Sequence, residues 1–109
     1  MGVVMVRQKV KDGSVEAAEA AARELFATLD RVRPQGLRYA STRVVDSSTF
    51  VILTELADGI EDPRPAIPGF LRFLEQLKGW VDGPPLIEHL DVVGSYDLFG
   101  TQREESAVR

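Results

Sequence analysis

The stretch Ile67–Val93, IPGFLRFLEQLKGWVDGPPLIEHLDVV, decides how the rest of the chain folds. Phe70, Leu71, Leu74, Leu77 and Val81 recur at helical spacing, and Phe73 and Trp80 widen that apolar stripe. Arg72, Glu75, Gln76 and Lys78 form the wet side. Pro68 suits a first helical turn, so a helix is expected from Pro68 to Val81. Asp82-Gly83-Pro84-Pro85 stops it and launches a strand over Leu86–Val93. So broad an apolar helix face can contact a sheet and still offer surface to a ligand cavity or a partner chain. The stretch also holds the only Trp, Trp80, and the only His, His89.

Upstream of it, residues 57–68 (ADGIEDPRPAIP) carry three prolines and the acids Asp58, Glu61 and Asp62. They read as a surface loop at the edge of a pocket mouth, or more plainly as a solvated connector. Before the loop, Leu37–Val45 and Thr49–Leu56 are strands joined by Asp46-Ser47-Ser48 into an antiparallel hairpin. Val3–Lys11 is the first strand, with Val4, Val6, Gln8 and Val10 on one face and Val3, Met5, Arg7 and Lys9 on the other. Ser14 is the expected N-cap of a first helix striped by Val15, Ala18, Ala21, Ala22, Leu25, Phe26, Leu29 and Val32, which Pro34 and Gly36 end.

The order β-α-β-β-α-β gives an α+β, ferredoxin-like domain: a four-stranded antiparallel sheet with two helices on one face. Phe50-Val51-Ile52-Leu53 is apolar at every position, and Val3–Val6 also fails to alternate. A strand with one wet face alternates, so both sheet faces call for cover. Two helices cover one, and a second copy of the chain is the simplest cover for the other.

Composition bounds the function. A chain of 109 residues suits one domain, expected over residues 1–100, with a polar, disordered tail over 101–109. A net charge of −4 argues against a nucleic-acid partner. The absence of Cys removes thiolate metal sites and Cys nucleophiles, and one His with no Cys cannot build a usual zinc or facial-triad site, so no metal is expected. No apolar run reaches a membrane span, and the early charges at Arg7 and Lys9 do not suit a signal peptide; the expected compartment is the cytoplasm. G-x-S-x-G, G-x-G-x-x-G and P-loop patterns are all missing.

For chemistry, His89 and Asp91 fall two apart on one strand face, where a carboxylate could orient the ring and make a general base. Glu88 lies on the opposite face and is the candidate acid if that face lines the cavity. The plainer alternative for His89 is an ordinary strand-surface contact. Tyr39, Trp80, Phe70, Phe73 and Tyr96 are candidates to line a pocket for a flat apolar ligand, against the alternative of core or dimer packing. Arg38 and Arg43 on the second strand could pair with an anionic substrate or with the acidic loop; the plainer reading is that they are solvated.

The phased pattern of Lys11-Asp12-Gly13-Ser14, Arg33-Pro34-Gln35-Gly36-Leu37-Arg38-Tyr39, Thr49–Leu53, Pro68–Leu74 and Gly83–Glu88 resembles the antibiotic-biosynthesis-monooxygenase-like family of dimeric α+β barrels, over roughly residues 3 to 96. The resemblance implies a homodimer with two sheets packed face to face, and a pocket in each subunit between sheet and helices. Some members oxygenate aromatic or polyketide substrates with no cofactor, neither metal nor flavin, others degrade haem, and many have no known activity; the resemblance thus implies a candidate oxygenase of a small aromatic or polyketide-like molecule. The chain departs from the family's haem-degrading members, which use an Asn on the first strand and a His on the second helix: it has no Asn, and no His on that helix. Thr54 stands where the family usually places a Glu, and Leu56 where an aromatic is common. The alternatives to a monooxygenase are a non-catalytic small-molecule-binding or accessory protein, and a small-molecule isomerase or cyclase. An enzyme of this kind needs a base facing the cavity; a binder needs only apolar lining.

Overall fold

The computed structural model describes residues 2–98; the tail expected over 101–109 lies outside them. The strands are β1 (Gly2–Lys9), β2 (Leu37–Arg43), β3 (Thr49–Leu56) and β4 (Leu86–Asp91), and the helices α1 (Val15–Val32) and α2 (Pro68–Leu77). The sheet order is β2-β3-β1-β4 with every pair antiparallel, the ferredoxin-like arrangement expected from the sequence.

The ladder assigns the faces. Directly paired residues share a face, so Val4, Val6 and Gln8 go with Thr54, Ile52 and Phe50, and through β3 with Tyr39, Ser41 and Arg43. This is the face the helices cover. The core against it falls into two clusters. Val10, Ala18 and Phe50 form one, with Val15, Ile52 and Trp80 against it. Leu25, Ile67 and Phe70 form the other, with Leu29, Tyr39 and Phe73. On the opposite face, Val3, Met5, Ala40, Val51, Leu53 and Leu90 belong to neither core cluster.

Several boundaries differ from the sequence expectation. β1 ends at Lys9, because the Val10 N–H turns to Ser48 O (2.9 Å) and Val10 bridges Val81. That bridge also shortens α2, expected to reach Val81. Trp80 and Val81 N–H still donate to Leu77 O (2.9 and 3.1 Å), but Lys11 N–H donates to Trp80 O and Asp82 N–H to Lys9 O, both 2.8 Å, so the chain leaves the helix there and pairs with the end of β1. Ser14 makes no side-chain cap bond. Residues Asp12–Ser14 form a 3-10 turn in which Ser14 N–H donates to Lys11 O at 2.8 Å. β2 stops at Arg43 ahead of a turn holding Asp46 at φ 58°, and β4 stops at Asp91, leaving Val93 fully exposed. Of the two arginines read as solvated, Arg38 keeps a largely exposed side chain and Arg43 does not. Arg43 Nε reaches Glu19 Oε2 at 2.6 Å, tying β2 to α1, and Arg38 meets its cross-strand neighbour Glu55 at 3.7 Å.

The loop after β3 is fixed at Gly36. Ala57 N–H donates to Gly36 O (2.8 Å), and Gly36 sits at φ +79° with a built Cβ only 2.8 Å from Ile60 Cγ2. Gly36→Ala is therefore expected to destabilise the fold by about 1–3 kcal/mol in urea denaturation, and Ile60→Ala to relieve only the steric part of that loss.

Candidate functional site

Between the two core clusters lies a cavity of about 180 Å³. Val10, Ala18, Phe50 and Ile52 of the first cluster line it, with Leu25, Tyr39 and Phe73 of the second. Its polar lining comes from Gln8, Ser41, Thr54, Tyr39 and Arg64, and Arg64 is the one charged residue among the lining.

Arg64 is delivered by the irregular loop. Pro63 and Pro65 flank it and restrict the backbone on both sides. Asp62 Oδ1 accepts the Arg64 N–H at 3.0 Å, a local side-chain-to-backbone turn. The same carboxylate grips the guanidinium: Nε donates to Oδ1 at 3.0 Å and Nη2 to Oδ2 at 2.8 Å. The guanidinium carbon lies 5.1 Å from the Tyr39 ring centre and 5.4 Å from that of Phe70, within cation–π range of both. Nη1 points to Thr54 Oγ1 at 3.4 Å. Thr54, standing where the family resemblance places a Glu, thus faces the cavity, and the nearest carboxylate on this cluster is that of Asp62.

Two titrating groups respond. Burial pushes the Tyr39 phenol above its ordinary value of 10.0, with the Arg64 charge opposing, so Tyr39 stays a proton donor at neutral pH. The hydrogen bond from Arg64 holds the Asp62 carboxyl below its ordinary 3.8. Tyr39 also stacks on Phe26 with ring centres 5.3 Å apart. Both rings line a second, open groove of about 680 Å³ along the C-terminal half of α1, so the pair is the wall between groove and cavity.

The residues singled out in the sequence are divided. Tyr39 and Phe73 line the cavity, and Phe70 backs it beneath Arg64. Trp80 packs on the Val10 cluster at the far end. Tyr96 is 96% exposed. His89 pairs with Val4 and so takes the helix-side face of the sheet with Asp91, while Glu88 pairs with Met5 on the open face. All three are exposed on β4, an edge strand, and none lines the cavity. Among the described residues no three His, Asp or Glu side chains gather as a metal-ligand set, and no helix is long and apolar enough to cross a membrane. Arg64 was not singled out, though Asp62-Pro63-Arg64-Pro65 was the available signal: an acid two residues before an arginine pinned by prolines.

Solved structures match this architecture closely. A "putative antibiotic biosynthesis monooxygenase" from Nitrosomonas europaea aligns over 86% of this chain and 100% of its own, at 20% identity and a TM-score of 0.68. A protein of the same name from Caulobacter crescentus aligns over 85% and 90%, at 22% identity and a TM-score of 0.65. The chain has the fold of the antibiotic-biosynthesis-monooxygenase-like proteins. A conserved protein from Methanosarcina mazei shares it as well, over 82% and 90% of the two chains, at 16% identity and a TM-score of 0.66. No protein-family model and no curated protein sequence matches the chain. The resemblance read from the residues and the structural likeness agree on this fold, and identities this low speak to fold alone.

The pKa shifts fix a pH signature. The lowered Asp62 value contributes stability that is present above pH 3.8 and is lost as pH falls through the folded-state value. Asp62→Asn is expected to be less stable than the parent at pH 7, with the gap closing on acidification in pH-resolved urea denaturation. In a Tyr96→Phe background, the midpoint of the tyrosinate absorbance rise is expected above pH 10.0, because burial of Tyr39 favours its neutral form.

Proposed function

We propose that this chain is a monooxygenase-like protein of the antibiotic-biosynthesis type, acting on a small aromatic molecule in the cavity between sheet and helices. The observation that carries the reading is the cavity itself: a largely apolar, aromatic-lined space of about 180 Å³ into which Tyr39, Thr54 and Arg64 bring hydrogen-bond donors. Cavities of ~150 Å³ hold a benzene, so the space suits one ring with a substituent or two and is too small for a fused polyketide.

The reaction class needs only an electron-rich substrate and dioxygen. The phenol loses one hydrogen from a ring carbon and one from its hydroxyl and gains one oxygen atom at that carbon, giving a quinone; the second oxygen atom leaves with the two hydrogens as water. Charge develops on the substrate oxygen as its hydroxyl is deprotonated. A neutral phenol at Tyr39 and the Arg64 cation are suited to stabilise that charge in a dry site. Deprotonation falls to the substrate's own acidity or to solvent, since no carboxylate or imidazole lines the cavity.

That same observation favours a second reading, a non-catalytic binder, over an isomerase, which must shuttle a proton with a base of its own. The expected working form is a homodimer closed over the open face, where Met5, Ala40, Val51 and Leu53 give an apolar centre and Arg38, Glu55, Arg7 and Lys9 a charged rim.

Oxygen uptake with single-ring phenols and hydroquinones tests the activity. Consumption of one dioxygen per product, falling about tenfold or more in Tyr39→Phe and Phe73→Ala, is expected for the enzyme. Binding of the same compounds with no uptake leaves the binder. Native mass spectrometry is expected to give two chains, and Leu53→Glu to give a folded monomer.

A further inference from the structure

We infer that the cavity takes its ligand as a monocyclic aromatic anion, with the charged oxygen on the terminal Nη edge of Arg64. This rests on the cavity being the ligand site and adds the charge and the contact atoms.

The guanidinium presents two edges, each able to grip an oxyanion. The Nε–Nη2 edge is occupied by Asp62. On the terminal edge, Nη1 reaches Thr54 Oγ1 only at 3.4 Å, well beyond the ~2.9–3.0 Å typical of N–H···O bonds, and the Tyr39 phenol oxygen is the other neutral acceptor beside the guanidinium. That edge therefore keeps donor capacity on the side where Thr54 and Arg64 line the cavity. The Tyr39 and Phe70 rings hold the guanidinium in place, so a ligand oxygen meets a positioned donor.

The remaining surroundings favour an anion with an apolar body. Phe26, Phe50, Phe73, Ile52 and Leu25 offer no competing polar groups to a ring. Away from water, a charge-assisted contact to Arg64 gains strength, and no carboxylate lines the cavity to repel the incoming one. Asp62, on the far edge, tempers the Arg64 charge and sets an upper limit on anion affinity. It is a positioning residue and an electrostatic brake.

Benzoate and benzyl alcohol, which share a ring and differ in charge, are the probes, titrated at pH 7 and low salt by calorimetry. The expected result is benzoate binding about tenfold tighter than benzyl alcohol, with Arg64→Gln abolishing the difference by weakening benzoate far more than benzyl alcohol. Asp62→Asn is expected to tighten benzoate about threefold or more by releasing the brake, an effect that a merely structural role would not produce. Equal affinity for the two probes, or benzoate binding indifferent to Arg64→Gln, overturns the inference and leaves the cavity as a neutral-ligand site. Binding of neither probe overturns the ligand-site reading along with it. Should Arg64→Gln fail to fold, the parent's preference between the probes and the direction of the Asp62→Asn change decide the matter.

Discussion

The candidate site of this protein depends on a gap that its side chains decline to fill. Where α1 crosses the sheet it presents Ala18 and Ala22, and beneath lie Val6, Ser41 and Ile52. Small residues meet medium ones across a separation set by bulkier neighbours at either end, Phe50 and Trp80 in one cluster, Phe70 and Phe73 in the other. The two clusters hold the helices off the sheet, and the cavity of about 180 Å³ is what remains between them. A space left unpacked between the two clusters forgoes contacts that a close-packed core would make. A ligand that fills it recovers part of that loss on binding, so the packing defect is also a source of affinity.

The second half of the arrangement comes from the loop between β3 and α2. A charged side chain rarely faces an apolar space without a partner, and Arg64 brings its own in Asp62. The loop is held at both ends: by the Gly36–Ala57 hydrogen bond with Ile60 seated on Gly36, and by Ile67, buried where the loop becomes α2. Between these anchors, two prolines and the Asp62 turn leave the Arg64 backbone little freedom. An arginine placed this way presents its terminal edge to the cavity with little conformational entropy left to lose when a ligand arrives.

Much of the fold was legible in the chain because periodicity reports it directly. The period of α1, the apolar run of β3 and the hairpin turn at Asp46–Ser48 together specify the sheet and its helices. Where periodicity continues past a structural boundary, it misleads. Trp80 and Val81 extend the apolar stripe of α2, but their backbone groups pair with Lys11 and Val10, a contact between residues some seventy positions apart that no local pattern records. The face of His89 was undecidable for a related reason. Every residue of β4 is exposed, so its apolar and polar positions do not sort by burial, and only the pairing of His89 with Val4 assigns it. The site was half legible. Tyr39 and Phe73 follow from their strand and helix stripes, whereas the direction of a loop side chain such as Arg64 is set by hydrogen bonds and proline geometry, and carries no period.

The central claim is that the space between sheet and helices is a ligand site, and methyl-resolved NMR during a titration with toluene tests it most directly. The account predicts saturable shifts at methyl groups that line the cavity, Val6, Ala18, Ala22, Leu25 and Ile52 among them. Methyl signals that do not move, or that move only at the exposed Leu86, Ile87 and Leu90 of β4, would contradict it.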